Sequence, residues 1–151
     1  MKKIEINKAD IHNLDELSLI FDEYRIFYEK KSDLKGAKEF LLDRFLNFQS
    51  IIFVAMDKEN DTIFGFTQLY PTFSSLSMGR AIILNDLYVK KEYRRLGIAK
   101  SLLKHVKDFA THSNLKYVEL STAITNKNAQ SLYETFGFER ETEFYHYSLN
   151  I

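Results

Sequence analysis

Polar and apolar positions along this chain follow two periods, and each change of period marks an element. Ile4 and Ile6 alternate with polar neighbours in "KIEIN", the pattern of a short strand with one buried face. Leu14, Leu17, Phe21, Tyr24 and Tyr28 then recur at steps of three and four, which predicts a helix with a single apolar side. Asp33 can cap a second helix, in which Phe40, Leu41, Phe45 and Leu46 give the apolar side and which ends near Phe48. "IIFVAM" and "TIFGFTQLY" are β-branched and aromatic runs separated by "DKEND" and read as a hairpin, with "AIILNDLYV" as a third, longer strand. Between the last two, "PTFSSLSMGR" reads as a loop on the acceptor side. Ala99, Leu102, Leu103, Val106, Phe109 and Ala110 mark another helix, followed by the strand "KYVEL". A last helix runs from near Asn128 to Phe136 and stops at Gly137, and "FYHYSL" supplies a closing strand.

This order predicts an α/β (α+β) fold. Antiparallel hairpins come first and one parallel crossover after, so the sheet is mixed, mostly antiparallel, with helices on both faces. No linker or repeat interrupts it, and residues 1–151, with 45% hydrophobic content, read as one domain with its own core. Lys plus Arg and Asp plus Glu both number 21, so no overall field draws the chain to nucleic acid or to a membrane surface. The absence of cysteine excludes disulfides, thiolate nucleophiles and the common structural zinc sites. "MKKIEINKAD" lacks the apolar core of a signal peptide, and no run approaches the roughly 18 apolar residues of a membrane span, so a cytosolic address is expected.

The candidate chemistry starts at "KKEYRRLG", between the end of the third strand and a helix start, where open sheets place ligands. Free amides and partial positive charge at a helix N-terminus suit a phosphate. Gly97 and Ala99 keep the backbone approachable, and Arg94 and Arg95 add donors. The residues alone leave a second reading, in which Gly97 only turns the chain and the arginines are solvated. Neither G-x-x-x-x-G-K-[ST] nor G-x-G-x-x-G occurs.

Two motifs then narrow the choice. Leu87-Tyr88-Val89 followed by Arg94-Arg95-Leu96-Gly97-Ile98-Ala99 resembles the central motif of the Gcn5-related N-acetyltransferases (GNAT). Asn126, Ala129, Tyr133, Gly137 and Phe138 are in step with that family's second motif, and "LNDLYV" and "YRIFY" are similar to its polyamine and histone acetyltransferase-like branch. The resemblance implies about six to seven strands and about four helices, with a splay between the third strand and "KYVEL". It implies acetyl-CoA as cofactor, with pyrophosphate on the amides from Arg95 through Lys100 to Ser101 and the pantetheine arm along Leu87 and Val89, beside Tyr88. Asn126 and Ala129 would border the same cofactor, although "TNKN" also reads plainly as a helix cap.

The resemblance makes Tyr133 the general acid for the leaving thiolate; without the motif, Tyr133 reads as a core residue. The look-alike branch often carries a glutamate before the aspartate, where this chain has Asn85 before Asp86. Asn85 can only hold a relaying water, and alternation sets Asp86 on the face opposite Asn85 unless a bulge intervenes, so Asp86 is either the base or a buried carboxylate fixing the loop. Tyr24, Phe27 and Tyr28, beside Asp22, Glu23, Glu29 and Asp33, suit an amine with an apolar or cationic body. His105 and His112 read as surface residues, and no metal site is expected. The expected activity is acetylation of a primary amine on a small molecule or polyamine. A protein lysine or N-terminal amine, and a binding module without turnover, stand as alternatives. The aromatic closing strand and the resemblance both suit a homodimer.

Overall fold

In the computed structural model, which describes residues 3–151 and so omits the first two positions of the domain read over residues 1–151, alternation becomes pairing. Strands β1 (Ile4–Lys8), β2 (Ile51–Asp57), β3 (Ile63–Ser74) and β4 (Gly79–Val89) lie antiparallel in that order, and β5 (Val118–Glu119) joins β4 in parallel. Helices α1 (Leu14–Phe27) and α2 (Leu34–Leu46) cover one face and α3 (Ile98–His112) the other.

The period-two rule divides β2 between these layers. Ile52 and Val54 enter the cluster built from Leu17, Ile20, Phe21 and Leu41, whereas Phe53 meets His105 and Phe109 of α3 at ring separations of 4.6 and 5.5 Å. Leu17, Ile20 and Leu41 have no solvent exposure, each such burial contributing about 1.5–3 kcal/mol. His105, expected on the surface, is therefore half-buried against Phe53. Asp33 caps α2 through a bond from Gly36 N–H at 2.9 Å, as its position before the helix predicts.

The chain divides into two compact units, one ending at Ser121 and the other spanning Thr122–Ile151. In the second, α4 (Lys127–Phe136) is capped by Asn126 and closed at Gly137, whose φ of 123° favours glycine. Among the described residues no helix is long and apolar enough to cross a membrane.

Two expectations need correction. The sheet has five strands among the described residues, not six or seven. "KYVEL" contracts to Val118–Glu119, and "FYHYSL" forms no strand, because its unit offers no second strand to exchange hydrogen bonds with. The expected loop "PTFSSLSMGR" is mostly hairpin: β3 runs on to Ser74 and β4 begins at Gly79. Pro71 is tolerated there because its partner Ile82 turns its N–H to Tyr117 O on the β5 side, and β2 ends opposite Leu69 and so requires no donor from residue 71.

Candidate active site

Along β3, Phe66, Gln68 and Tyr70 alternate onto the α1 side of the sheet. On β4, strict alternation would group Leu84 with Asp86 and set Asn85 opposite. The register is different: Gln68 pairs with Asp86 but Leu69 with Leu84, so Asn85 is the extra residue of a β-bulge. Asn85 and Asp86 consequently line the same cavity, of about 490 Å³, under α1 and α2. Tyr24, Tyr28, Phe40 and Tyr70 form aromatic walls.

Asp86 is only 3% exposed. Burial raises its carboxyl above the usual range, and three donors oppose that rise: Gln68 Nε2 at 2.5 Å, the Tyr24 hydroxyl, and Asn85 Nδ2 at 3.0 Å. Burial and the same carboxylate raise the Tyr24 phenol and push Tyr70 up to about 12, which keeps both as neutral donors. Gln68 Oε1 is buried without a partner among the described residues.

The other expected acidic residues are occupied or elsewhere. Asp22 accepts from Ser32 Oγ at 2.6 Å and Asp33 N–H at 2.8 Å, and Asp33 is spent on its cap. Glu23, Glu29 and Phe27 do not line the cavity. Phe27 packs instead on Tyr88 at 6.1 Å. Sequence reasoning missed Gln68 and Tyr70; their alternation with the buried Phe66 was the available signal.

The opposite edge of β4 is built from backbone. Pairing with β5 stops at Ile83, so the splay is present, and Leu84 to Val89 have no β5 neighbour. Lys90 N–H donates to Phe64 O on the β3 side, which turns the backbone groups of Leu87 and Val89 outward. Arg94 Nε donates to Val89 O at 2.9 Å, with its guanidinium 5.4 Å from the Tyr88 ring and 5.5 Å from Phe27. Arg95 and Gly97 follow at φ 62° and 78°. Gly97 is the N-cap of α3 and has no side chain to satisfy its amides. Ser101 N–H already bonds Gly97 O at 3.0 Å, so of the amides from Arg95 to Ser101 that one is taken up within α3.

Within the second unit, Asn126 Oδ1 accepts from Ala129 N–H at 3.2 Å, the plain capping role. Tyr133 packs edge-on against Phe138 at 5.8 Å. Among the described residues no group of three or more His, Cys, Asp or Glu is arranged to hold a metal.

A family model described as acetyltransferase (GNAT) family matches residues 16–138. The chain belongs to that family. This acetyltransferase is 44% identical over 148 residues to the uncharacterized N-acetyltransferase YhfO of Bacillus subtilis (strain 168), covering 98% of each. A solved structure of a probable acetyltransferase superposes with a TM-score of 0.93 at 41% identity, over 97% of both chains. The thialysine N-epsilon-acetyltransferase of Caenorhabditis elegans is 27% identical over 143 residues, 95% of this chain and 88% of the relative. An N-acetyltransferase of this family takes acetyl-CoA as donor, and the residues present fit it. The uncapped α3 amides suit its phosphates, no atom lies within 4 Å of where a Cβ on Gly97 would stand, and the free β4 edge can receive an amide-bearing arm.

Proposed function

We propose that this acetyltransferase acetylates the primary amine of a small molecule seated in the aromatic cavity, with Asp86 as proton acceptor. The observation that carries the reading is Asp86 itself: a buried carboxylate on the wall of a ligand-sized cavity, held by Gln68, Tyr24 and Asn85. An alkyl ammonium has a pKa of about 10.4, so only about one molecule in a few thousand is nucleophilic at neutral pH. A carboxyl held above the ordinary carboxylate range by burial is a better matched acceptor for that proton than an ordinary aspartate.

Acetyl-CoA supplies the acetyl group as an activated thioester. Leu87 and Val89 would hold its arm through backbone groups, and the amides from Arg95 to Lys100 would hold its phosphates. An outward amide near Leu87 would be the donor to the acetyl oxygen. Tyr133 is assigned on its motif as proton donor to the departing sulfur. The thialysine relative acts, by its name, on a small amine and supports the same acceptor class.

The test is calorimetric titration with acetyl-CoA, followed by thiol release over an amine panel, for the native chain and Asp86→Asn. Donor affinity is expected to stay within about twofold while turnover falls about 10²- to 10⁴-fold. Equal turnover in the variant removes Asp86 from the chemistry.

A further inference from the structure

The cavity carries more positive than available negative charge. Of its two lining carboxylates, Asp33 is bound to the start of α2, accepting from Gly36 N–H at 2.9 Å. Only the Asp86 carboxylate remains to meet a ligand cation. Arg25 and Lys30 line the same cavity. The chain brings these two together by a left-handed turn at the end of α1: Glu29 has a φ of 62°, and Lys30 N–H returns to Arg25 O at 3.0 Å. Among the described residues neither cation has a carboxylate within ion-pair distance, and Arg25 donates only at long range, from Nη1 to Lys31 O at 3.4 Å. Arg44, stacked 4.4 Å from the Phe40 ring, adds a third positive charge whose field reaches Tyr70.

We infer that the acceptor is a zwitterion: a primary amine placed at Asp86 whose other end bears a carboxylate received by Arg25 and Lys30. The inference rests on the acceptor site proposed above. A polycation would bring positive charge against two unpaired cations, whereas an ω-amino carboxylate offers each wall its complement. Arg25 is the half-buried one of the pair and can grip the carboxylate through its forked donors; Lys30 adds a point charge. In the transfer, the amine nitrogen bonds the acetyl carbon as the carbon–sulfur bond of acetyl-CoA breaks. Of the two protons the ammonium loses, one passes through Asp86 to solvent and one ends on the released thiol.

Thiol release with matched pairs tests this: 6-aminohexanoate against hexylamine, and lysine against 1,5-diaminopentane, with spermidine as the polycation. The carboxylate member is expected to have a kcat/KM at least about tenfold higher in each pair, the discrimination one well-placed charged contact gives. In the double variant Arg25→Gln, Lys30→Gln the ratio within each pair is expected to fall towards one, with acetyl-CoA affinity as the folding control. Preference for the decarboxylated amines or spermidine, or a carboxylate preference that survives the double variant, overturns the zwitterion and leaves the amine acetyltransferase standing. Donor binding without release on any amine overturns both.

Discussion

The two sides of β4 are built by opposite means. On the α1 side the wall is made of side chains: Asp86, Gln68, Tyr24 and Tyr70 share a buried hydrogen-bonding and electrostatic network. On the outer edge it is made of backbone: the turned-out groups of Leu87 and Val89 and the uncapped amides at the head of α3. A backbone site needs a shape, which many sequences can provide if a glycine stands at the right place. A side-chain network needs each member, since a buried polar group that loses its partner costs about 1–3 kcal/mol. A backbone edge of this kind can therefore be shared by a whole family while a side-chain wall diverges.

The comparison can be broken in three places, in order of effect. Tyr133→Phe keeps the ring and removes the proton; turnover is expected to fall by about 10² with acetyl-CoA affinity little changed. Stopped-assay thiol release measures it, and unchanged turnover returns Tyr133 to a packing role against Phe138. Gly97→Val is expected to weaken acetyl-CoA binding by about tenfold or more while thermal stability drops by only about 1–2 kcal/mol, the strain of a left-handed β-branched residue. A loss of affinity no larger than the loss of stability would mean that the head of α3 does not hold the donor.

The smallest effect is a slope. The folded pKa of Asp86 lies above its unfolded value, so its contribution to stability is present below the ordinary carboxylate pKa and is lost as pH rises through the raised one. Asn at position 86 has no proton to lose. As pH rises above the ordinary carboxylate range, the melting temperature of Asp86→Asn should gain on that of the native chain. Parallel melting profiles would show that the network compensates the charge fully.

Layers and helix faces were legible because burial imposes its period directly on the residues: Leu14, Leu17 and Phe21 announce α1 as clearly as Leu102, Leu103 and Val106 announce α3. The loop before α3 was legible for a related reason, since Gly97 marks a backbone geometry that other residues resist. The aromatic cavity was less so. Its members are brought together by the register of β3 on β4 and by the turn after α1, and neither leaves a local trace. Asp22 and Asp33, read as available charges, are consumed by bonds to Ser32 and Gly36 that no spacing reveals. "FYHYSL" alternates like a strand, but alternation supplies a face and not a neighbour.

The bulge at Asn85 also gives β4 slack at one position. Replacing Asn85 changes one amide. Removing it would restore an unbroken ladder in which Leu84 and Asp86, now neighbours, keep the faces they already hold, with Asp86 still opposite Gln68 and Tyr88 still opposite Phe66. A residue lost elsewhere in the strand finds no such slack and exchanges odd for even along one arm.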